Sequence, residues 1–320
     1  MRGKVSIIMP CFNAQSTVSY AIKSLERQTY DNFELIAVDD GSLDDTAKVI
    51  ESFVGKVKFD IVLVRQENKG VAAARNEALV QAGGDCIAFL DADDVYDDRF
   101  LEILVNAMEK NDGADIALCS FKRIGHIDYE GKKKYSDKYI EMTQKELADN
   151  LMYRNIPSSL WSYLYKRKKI VDNFLKFTEN VHYGEDSEFL WKYIVNCKSG
   201  VAVKDELYYY YDNPQSALNN LNWNKVQSAD VIKRVHKYMK DNNISWSEEF
   251  FEYMYPRTLL AIYKMFIKNN KTAYAKKFEE EYNLKAGMKK LLKSPDFKIK
   301  CTAAVYLTCP KICEIILRRI

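Results

Sequence analysis

Three aspartates, Asp91, Asp93 and Asp94, follow directly on an apolar run from Cys86 to Leu90. Five apolar residues without polar alternation indicate a strand buried on both faces, as in a parallel sheet. If the chain stays extended past the run, Asp91 and Asp93 point the same way and repel each other. A divalent cation with oxygen ligands would relieve that repulsion. The alternative is that these acids cap the helix predicted from Asp97 to Lys110.

The first 122 residues alternate strand and helix, which would place the acidic turn at the edge of a sheet. The predicted strands are Val5 to Met9, Phe33 to Val38, Phe59 to Val64, Cys86 to Leu90 and Ile116 to Phe121. Strands separated by single helices predict an α/β fold with a mainly parallel central sheet. An Ala-rich helix is predicted from Val71 to Ala82, and Ser42 with Asp45 resembles a capping box for an earlier helix. Open sheets of this kind bind ligands where their strands end.

The turn after the first strand, Pro10 to Ala14, contains no glycine. Neither the dinucleotide-binding fingerprint nor a P-loop can therefore be built there. A bound nucleotide would need a cation to neutralise its phosphates, and the acidic turn could hold one. The chain has only three histidines and lacks the His-Glu-x-x-His and Gly-x-Ser-x-Gly motifs, which disfavours zinc and serine hydrolysis.

The composition of the chain sets broad limits on its class. The 320 residues are 47% apolar, which is enough for one large or two ordinary domains, and the net charge of +3 gives no indication of nucleic-acid binding. Seven cysteines without dense spacing favour reduced thiols over a disulfide scaffold. No apolar segment has the length of a signal peptide or a membrane crossing. We therefore expect a cytoplasmic protein.

Five motifs follow one another in the order found in a known family. They are Val5-Ser6-Ile7-Ile8-Met9-Pro10-Cys11-Phe12-Asn13, Ser24-Leu25-x-x-Gln28-Thr29-Tyr30, Val38-Asp39-Asp40-Gly41-Ser42-x-Asp44, Asn68-x-Gly70-x-x-x-Ala74-Arg75-Asn76 and Leu90-Asp91-Ala92-Asp93-Asp94. Over roughly residues 4 to 122 the chain resembles bacterial family 2 glycosyltransferases of the GT-A fold. The resemblance implies inverting transfer of a sugar from a nucleotide-diphosphate donor, usually UDP-linked, with Mn²⁺ or Mg²⁺ bound. It also implies a glycan or lipid-linked saccharide as acceptor, as in surface polysaccharide synthesis.

The resemblance also implies roles for individual residues. The donor-binding residues would be Pro10, Phe12, Asn13, Asp40, Arg75, Asp91 and Ala92, with Asp93 as the metal ligand. The Phe12 ring would lie against the base, and an aromatic face suits any nucleobase. Asp40 would accept the N3 proton of uracil in preference to Asp39, and Arg75 would lie near the base and phosphates. The alternatives are a buried Phe12 and a surface Arg75.

Residues 123 to 221 resemble the acceptor-side half of the same family. In the segment around Glu185 and Asp186, the resemblance implies Asp186 as the catalytic base, with Trp161 and Glu185 as acceptor-binding or supporting residues. Both acids could instead serve the dipole of the helix that they begin. A polar loop around Tyr129-Glu130-Gly131 is predicted over the site, and Thr143 with Glu146 predicts a capping box.

These patterns predict a glycosyltransferase domain over 1–221, with a nucleotide-binding half over 1–122, and a helical region over 222–320. Its predicted helices are Val226 to Met239, Phe250 to Phe266, Ala273 to Tyr282 and a tail from Phe297. A hairpin is predicted before them, from Val201 to Tyr211. The tail combines apolar and basic residues around Pro310, which predicts peripheral contact with the inner face of the plasma membrane. Packing on the rest of the protein is the alternative.

Two other classes of function remain open on the sequence alone. A sugar-nucleotide nucleotidyltransferase would also use paired acids and a cation, but ordinarily shows a Gly-rich basic loop after the first strand. A non-catalytic sugar-binding or scaffolding module would have little use for Asp93 and Asp186 together.

Overall fold

The computed structural model describes residues 3–111, 114–127, 134–136, 138–212 and 221–319. Within them the chain forms two compact units, one of residues 1–181 and 185–220 and the other of residues 182–184 and 221–320. The division of function predicted after residue 221 stays a prediction. The predicted loop around Tyr129-Glu130-Gly131 lies outside the described residues.

The first unit is built on one nine-stranded sheet. Its strands are β1 (Val5–Cys11), β2 (Phe33–Asp40), β3 (Asp60–Gln66), β4 (Cys86–Phe89), β5 (Val95–Tyr96), β6 (Ile116–Ile124), β7 (Tyr139–Thr143), β8 (Tyr163–Lys166) and β9 (Ser199–Tyr211). They lie in the order β3-β2-β1-β4-β8-β6-β9-β5, with β7 also paired to β9. The four neighbouring strands β3, β2, β1 and β4 pair in parallel, whereas β8 is antiparallel to both its neighbours. The α/β fold is confirmed, and besides the four N-terminal strands the strands β6 and β9 also pair in parallel.

The hairpin predicted from Val201 to Tyr211 is wrong, because these residues belong to the single strand β9. This strand of 13 residues pairs with β7 near its start, with β6 along its length and with β5 near its end. Pairing on both sides buries Tyr208 and Tyr209, which point to opposite faces of the sheet. The strand therefore links three parts of the sheet.

Seven helices connect or flank these strands in the described part of the first unit. They are α1 (Val18–Glu26), α2 (Thr46–Glu51), α3 (Val71–Gln81), α4 (Phe100–Lys110), α5 (Gln144–Met152), α6 (Arg167–Asp172) and α7 (Glu185–Val195). The capping box of Thr143 and Glu146 is confirmed. The one predicted from Ser42 is wrong, because α2 begins at Thr46 and the Ser42 hydroxyl accepts from the backbone N–H of Asn13 at 3.0 Å. Ser42 thus ties two loops together.

Gly84 lies where α3 returns to β4, against the backbone of β1. An added Cβ would stand 2.7 Å from the carbonyl oxygen of Lys4 and 2.7 Å from the backbone nitrogen of Ser6. Both neighbours are backbone atoms of the sheet and cannot move aside independently. We expect Gly84→Ala to lower the free energy of unfolding by about 1–3 kcal/mol, the usual cost of overpacking. Gly125→Ala is the control, because an added Cβ there meets nothing within 4 Å; equal denaturant midpoints for the two variants would contradict the assignment.

In its described residues, the second unit contains six α-helices. They are α8 (Gln227–Asp241), α9 (Ser247–Lys268), α10 (Thr272–Glu281), α11 (Leu284–Leu291), α12 (Phe297–Thr308) and α13 (Pro310–Arg319). A core of buried side chains, including Leu259, Phe266, Phe278 and Met288, joins α9, α10 and α11 to the last two helices. The sequence did not predict α11. Among the described residues, no helix has the length and apolar character that crossing a membrane requires.

Candidate active site

The acidic turn lies beyond the carboxyl end of β4, beside the ends of β1 and β2. Parallel pairing places Cys11 of β1 opposite Asp39 of β2, and β4 lies on the other side of β1. The Cys11 thiol is buried, and its burial, with the charges of Asp39 and Asp91, raises its pKa. Asp39 and Asp91 therefore meet at one edge of the sheet, where open α/β sheets bind ligands.

The extended course predicted for the acidic residues is wrong. Ala92 and Asp93 form a turn, closed by a hydrogen bond from the Asp94 N–H to the Asp91 carbonyl at 3.0 Å. Side chains two apart on a turn do not share a face in the way they do on a strand. Asp91 and Asp93 are both partly exposed, whereas Asp94 is buried. The turn therefore separates two accessible carboxylates from one inaccessible carboxylate.

Asp94 joins the acidic turn to β9. Its Oδ2 accepts from the Tyr208 hydroxyl at 2.7 Å, and its Oδ1 accepts from the backbone N–H of Tyr211 at 2.8 Å. Burial, together with the charges of Asp91 and Asp93, raises the pKa of Asp94 well above its usual value. With both oxygens occupied by protein donors, Asp94 is a structural residue. The Tyr208 hydroxyl also lies 3.4 Å from the Asp91 backbone nitrogen, so it fixes both ends of the turn.

Arg75 connects the acidic turn to the segment around Glu185. The side chain is 7% exposed on α3; its Nη2 donates to Asp91 Oδ1 at 3.1 Å, and its Nη1 to Glu185 Oε1 at 3.5 Å. The guanidinium carbon lies 5.4 Å from the centre of the Phe177 ring. Among the described residues, no partner accepts a hydrogen bond from its buried Nε. A buried guanidinium is costly without carboxylate partners, so the two acids hold Arg75 in place, and the alternative of a surface arginine is wrong.

Glu185 and Asp186 begin α7, directly after Gly184, whose φ of 93° favours glycine. Burial raises the pKa of Glu185 to about 7, assisted by the charge of Asp186 and opposed by Arg75. Burial also raises the pKa of Asp186, although Arg75 and the Ser187 N–H favour its charged form. A carboxylate with a raised pKa is a better proton acceptor near neutral pH.

The raised pKa of Glu185 predicts a pH-dependent effect of Glu185→Gln on stability. The folded protein holds this proton more tightly than the unfolded chain, whose glutamate has a pKa of 4.5. The contribution of the Glu185 proton to the stability of the folded state is complete below pH 4.5 and is lost as the pH rises through about 7. Glutamine has the shape of the neutral side chain and cannot ionise. We therefore expect the free energy of unfolding of the variant, relative to that of wild type, to be about 1–3 kcal/mol higher at pH 8 than at pH 5. Chemical denaturation at both pH values measures this, and an unchanged difference would contradict it.

The predicted donor-side residues surround the end of β1. Phe12 is 49% exposed, so the alternative of a buried ring is wrong. The Asn13 backbone, at a φ of 50°, is held because its side-chain oxygen accepts from the Leu43 N–H at 2.8 Å. Pro10 pairs with Val38 inside the sheet, and Ala92 is buried in the acidic turn. Their contact with a donor stays a prediction.

Asp40 has structural partners at the start of α3. One oxygen accepts from Gln66 Nε2 at 2.6 Å and from the Lys69 N–H at 2.8 Å, and the other accepts from the Gly70 N–H at 2.8 Å. Asp39, the other member of the pair, accepts from the Ser42 N–H at 3.2 Å and faces Cys11. The prediction that Asp40 contacts the base therefore requires one of these oxygens to accept a further hydrogen bond.

Trp161 stacks on the tyrosines of β9. Its ring centre lies 4.0 Å from that of Tyr208 and 5.9 Å from that of Tyr210. Since Tyr208 also bonds Asp94, the stack extends from the acidic turn along the sheet. Sequence reasoning missed the roles of Tyr208 and Asp94. The general rule that a buried tyrosine hydroxyl needs a hydrogen-bond acceptor could have indicated these roles.

The carboxylates suit a cation that is shared with a substrate. Among the described residues, no three His, Cys, Asp or Glu side chains are arranged to hold a metal by themselves. Mg²⁺ and similar ions commonly take one or two carboxylates together with substrate phosphates. Asp93 and Asp91 can supply these ligands because both are partly exposed, whereas Asp94 is buried with both oxygens accepting from Tyr208 and Tyr211. The donor set therefore fits a divalent cation bound with a diphosphate.

Solved structures of other proteins share the fold of this chain. Staphylococcus aureus TarS, residues 1–349 in complex with UDP-GlcNAc, superposes with a TM-score of 0.72 and 18% identity, over 99% of this chain and 89% of that one. The mannosyltransferase PcManGT of Pyrobaculum calidifontis, in complex with GDP-Man and Mn²⁺, gives 0.57 and 16%, over 100% and 88% of the two chains. The fold is that of the GT-A glycosyltransferases.

The family described as Glycosyl transferase family 2 matches residues 6–175, and this chain belongs to it. EpsJ of Bacillus subtilis, an uncharacterized glycosyltransferase, is 29% identical over 66% of this chain. The Escherichia coli protein WfgD, named UDP-Glc:alpha-D-GlcNAc-diphosphoundecaprenol beta-1,3-glucosyltransferase, is 46% identical over 33% of it. The chain spans 62% of the length of EpsJ and 42% of that of WfgD.

Proposed function

We propose that this protein is an inverting glycosyltransferase that moves a sugar from a UDP-linked donor to a hydroxyl of a glycan or lipid-linked acceptor. The observation that carries the proposal is the bridge made by the buried Arg75, which joins the partly exposed Asp91 of the acidic turn to Glu185, 94 residues later (185 − 91). The donor-side and acceptor-side motifs thereby meet at one site. Family membership favours transfer over the nucleotidyltransferase and scaffold alternatives.

In the proposed reaction, Asp186 acts as the base. Its carboxylate takes the proton of the acceptor hydroxyl while that oxygen bonds to the anomeric carbon and the bond to the diphosphate breaks on the opposite face. Arg75 keeps a positive charge beside Asp91, Glu185 and Asp186, which lets the base stay ionised in a buried setting. Glu185 is a positioning residue, because it holds Arg75.

Asp93, with Asp91 beside it, would hold the divalent cation, Mn²⁺ or Mg²⁺. When bound, the cation stabilises the negative charge of the leaving diphosphate. Two solved neighbours of this fold contain Mn²⁺, PcManGT and the glucosyl-3-phosphoglycerate synthase of Mycobacterium tuberculosis. The division between Asp93 at the cation and Asp186 at the acceptor keeps the two ionised carboxylates in separate roles.

The donor and acceptor are proposed from the relatives. WfgD is named for a UDP-glucose donor and a diphosphoundecaprenol-linked acceptor, and TarS was solved with UDP-GlcNAc. The exposed Phe12 ring offers a face on which a uracil could stack, and Trp161, buried on the tyrosines of β9, would support the acceptor side. A role in surface polysaccharide synthesis follows. Work on a lipid-linked acceptor at the cytoplasmic side would be assisted by peripheral membrane contact through residues 297–320.

Binding of UDP tests the donor site without knowledge of the sugar. A ligand that binds only the folded state raises the melting temperature by mass action. We expect UDP to raise it in the presence of Mn²⁺ and to have much less effect in EDTA, because the cation links the diphosphate to Asp93. ADP is the control nucleotide, and equal shifts with UDP and ADP, or none with either, would contradict a UDP-sugar site.

A further inference from the structure

Helix α13 carries two apolar faces. Cys313 and Leu317 are buried in the core of the second unit, as expected of a terminal helix. Ile312, Ile315 and Ile316 lie outward and are 51%, 52% and 40% exposed. Their spacing of three and four places them on one face. Scattered exposed isoleucines need no explanation, but an outward stripe on the helix that also supplies a buried stripe points to a second partner.

A groove runs beside this stripe. The cavity, of about 420 Å³, is lined by α9, α12 and α13, and we call it the tail groove. Its lining residues are Lys264, Phe297, Lys298, Cys301, Thr302, Val305, Cys313, Ile316 and Leu317. Phe297 stands at the start of α12, 75% exposed. The volume falls within the range of about 300–1,000 Å³ usual for sites of small apolar ligands.

The helices that form the groove and the stripe carry positive charge. Lys264 and Lys298 line the groove, and Lys300, Lys311 and Arg319 are exposed on α12 and α13. Within the described part of the chain, none of these five cations forms an ion pair with a carboxylate. Glu314, the one acid of α12 and α13, accepts from the Tyr263 hydroxyl at 3.3 Å, on the side of the core. The outward surface is therefore apolar and cationic.

We infer that this surface binds an anionic phospholipid leaflet, with the isoleucines among the acyl chains and one acyl chain in the tail groove. Lys264 and Lys298 then lie beside the lipid phosphate, because they line the groove that the chain enters. Basic residues around an apolar stripe are the combination that attracts helices to anionic bilayers. A second copy fits less well, since symmetric pairing would place this cationic surface against itself. The inference deepens the membrane contact in the proposed function and rests on it.

Co-sedimentation of the full chain with vesicles tests the surface. We expect binding to phosphatidylcholine vesicles that contain phosphatidylglycerol, and little binding to phosphatidylcholine alone or in high salt. The paired change Ile315→Ser and Ile316→Ser should lower partition at least about tenfold, because it removes two inserted side chains. Lys298→Glu should also weaken it. Val80→Ser, which alters an apolar residue that is 73% exposed on α3, is the control and should bind as wild type.

Chemical labelling of Cys301 in the wild-type chain tests the groove without a substitution that could affect folding. Cys301 is the one exposed cysteine of the seven, all of which lie in the described residues, and it lines the groove. Anionic vesicles should slow its reaction with a maleimide at least about fivefold if the groove is covered by lipid. Cys301→Trp should fill the groove and weaken partition while leaving the surface charge unchanged.

The outcomes separate this inference from the proposed function. Vesicle binding is measured without donor or acceptor, so an inactive enzyme could still bind, and transfer to a water-soluble acceptor could proceed without membrane contact. Equal binding to neutral and anionic vesicles, or unaltered Cys301 labelling, would overturn the inference. A dimer in light scattering that the paired isoleucine change converts to monomer would overturn it in favour of a second copy.

Discussion

Replacing Asp186 with asparagine should leave the protein folded and able to bind the donor, yet lower turnover by about a hundredfold or more, the usual contribution of a positioned base. Asparagine has nearly the same shape but cannot take the acceptor proton. The side-chain oxygen that accepts from the Ser187 N–H at 2.6 Å is retained, so the start of α7 should persist. The effect should appear in kcat, with the Kd for UDP almost unchanged.

The control for this variant is Asp172→Asn. Asp172 lies at the end of α6, is 49% exposed and pairs with Lys168, away from the cluster around Arg75. The same change of charge there should leave turnover near wild type. If Asp186→Asn loses UDP binding together with turnover, Asp186 is a structural residue, and the role of base must pass to another group.

Replacing Asp93 with alanine should abolish transfer that depends on a divalent cation. Its carboxylate is the proposed ligand nearest to the diphosphate, and a cation contributes several kcal/mol to stabilising a leaving phosphate. The turn need not collapse, because it is closed by backbone atoms of Asp91 and Asp94. UDP should then lose its Mn²⁺-dependent effect on the melting temperature, while the melting temperature without ligand changes little.

Asp94→Asn is the control for Asp93→Ala, because it changes the next carboxylate of the same turn. Asp94 differs from its neighbour in being buried and bonded to Tyr208 and Tyr211. Asparagine there should leave the Mn²⁺ concentration needed for half-maximal activity close to wild type. Wild-type activity in Asp93→Ala, or a larger loss of metal response in Asp94→Asn than in Asp93→Ala, would contradict the assignment of the metal ligand.

The parallel half of the sheet could be predicted because its strands are buried on both faces. The runs at Val5, Phe33 and Cys86 begin where β1, β2 and β4 begin, since continuous apolar segments have one good environment in a sheet covered by helices. The helix predicted from Val71 to Ala82 differs from α3 by one residue. In these segments the local sequence was enough to predict the strand or helix.

Predictions failed where distant contacts decide the structure. The Ser42 hydroxyl could cap a helix or hold Asn13, and only the packing of the two loops selects the second. The run of tyrosines before residue 212 resembles a hairpin strand, yet its partners lie in three separate segments. The helix α11 contains a glycine, which lowers helix propensity, and it is stabilised by packing on α9.

The resemblance to a family indicated which residues belong to the candidate site but not how they contact one another. It implied Arg75, Asp91 and Glu185 separately, whereas the two ion pairs of Arg75 emerge only from the fold. The bond from Tyr208 to Asp94 spans 114 residues and has no local sequence signal. The sequence therefore indicated candidate residues but not the contacts that connect them.

Release of UDP from a panel of UDP-sugars by the wild-type protein is the most direct test of the central claim. The reactions contain candidate glycan and lipid-linked acceptors, with Mn²⁺ in one series and excess EDTA in a parallel series. We predict that one donor releases UDP only when both the cation and an acceptor are present, and that the new glycosidic bond has the inverted anomeric configuration. Acceptor-dependent turnover that continues unchanged in EDTA, or a product that retains the donor's configuration, would contradict the proposed roles of Asp93 and Asp186.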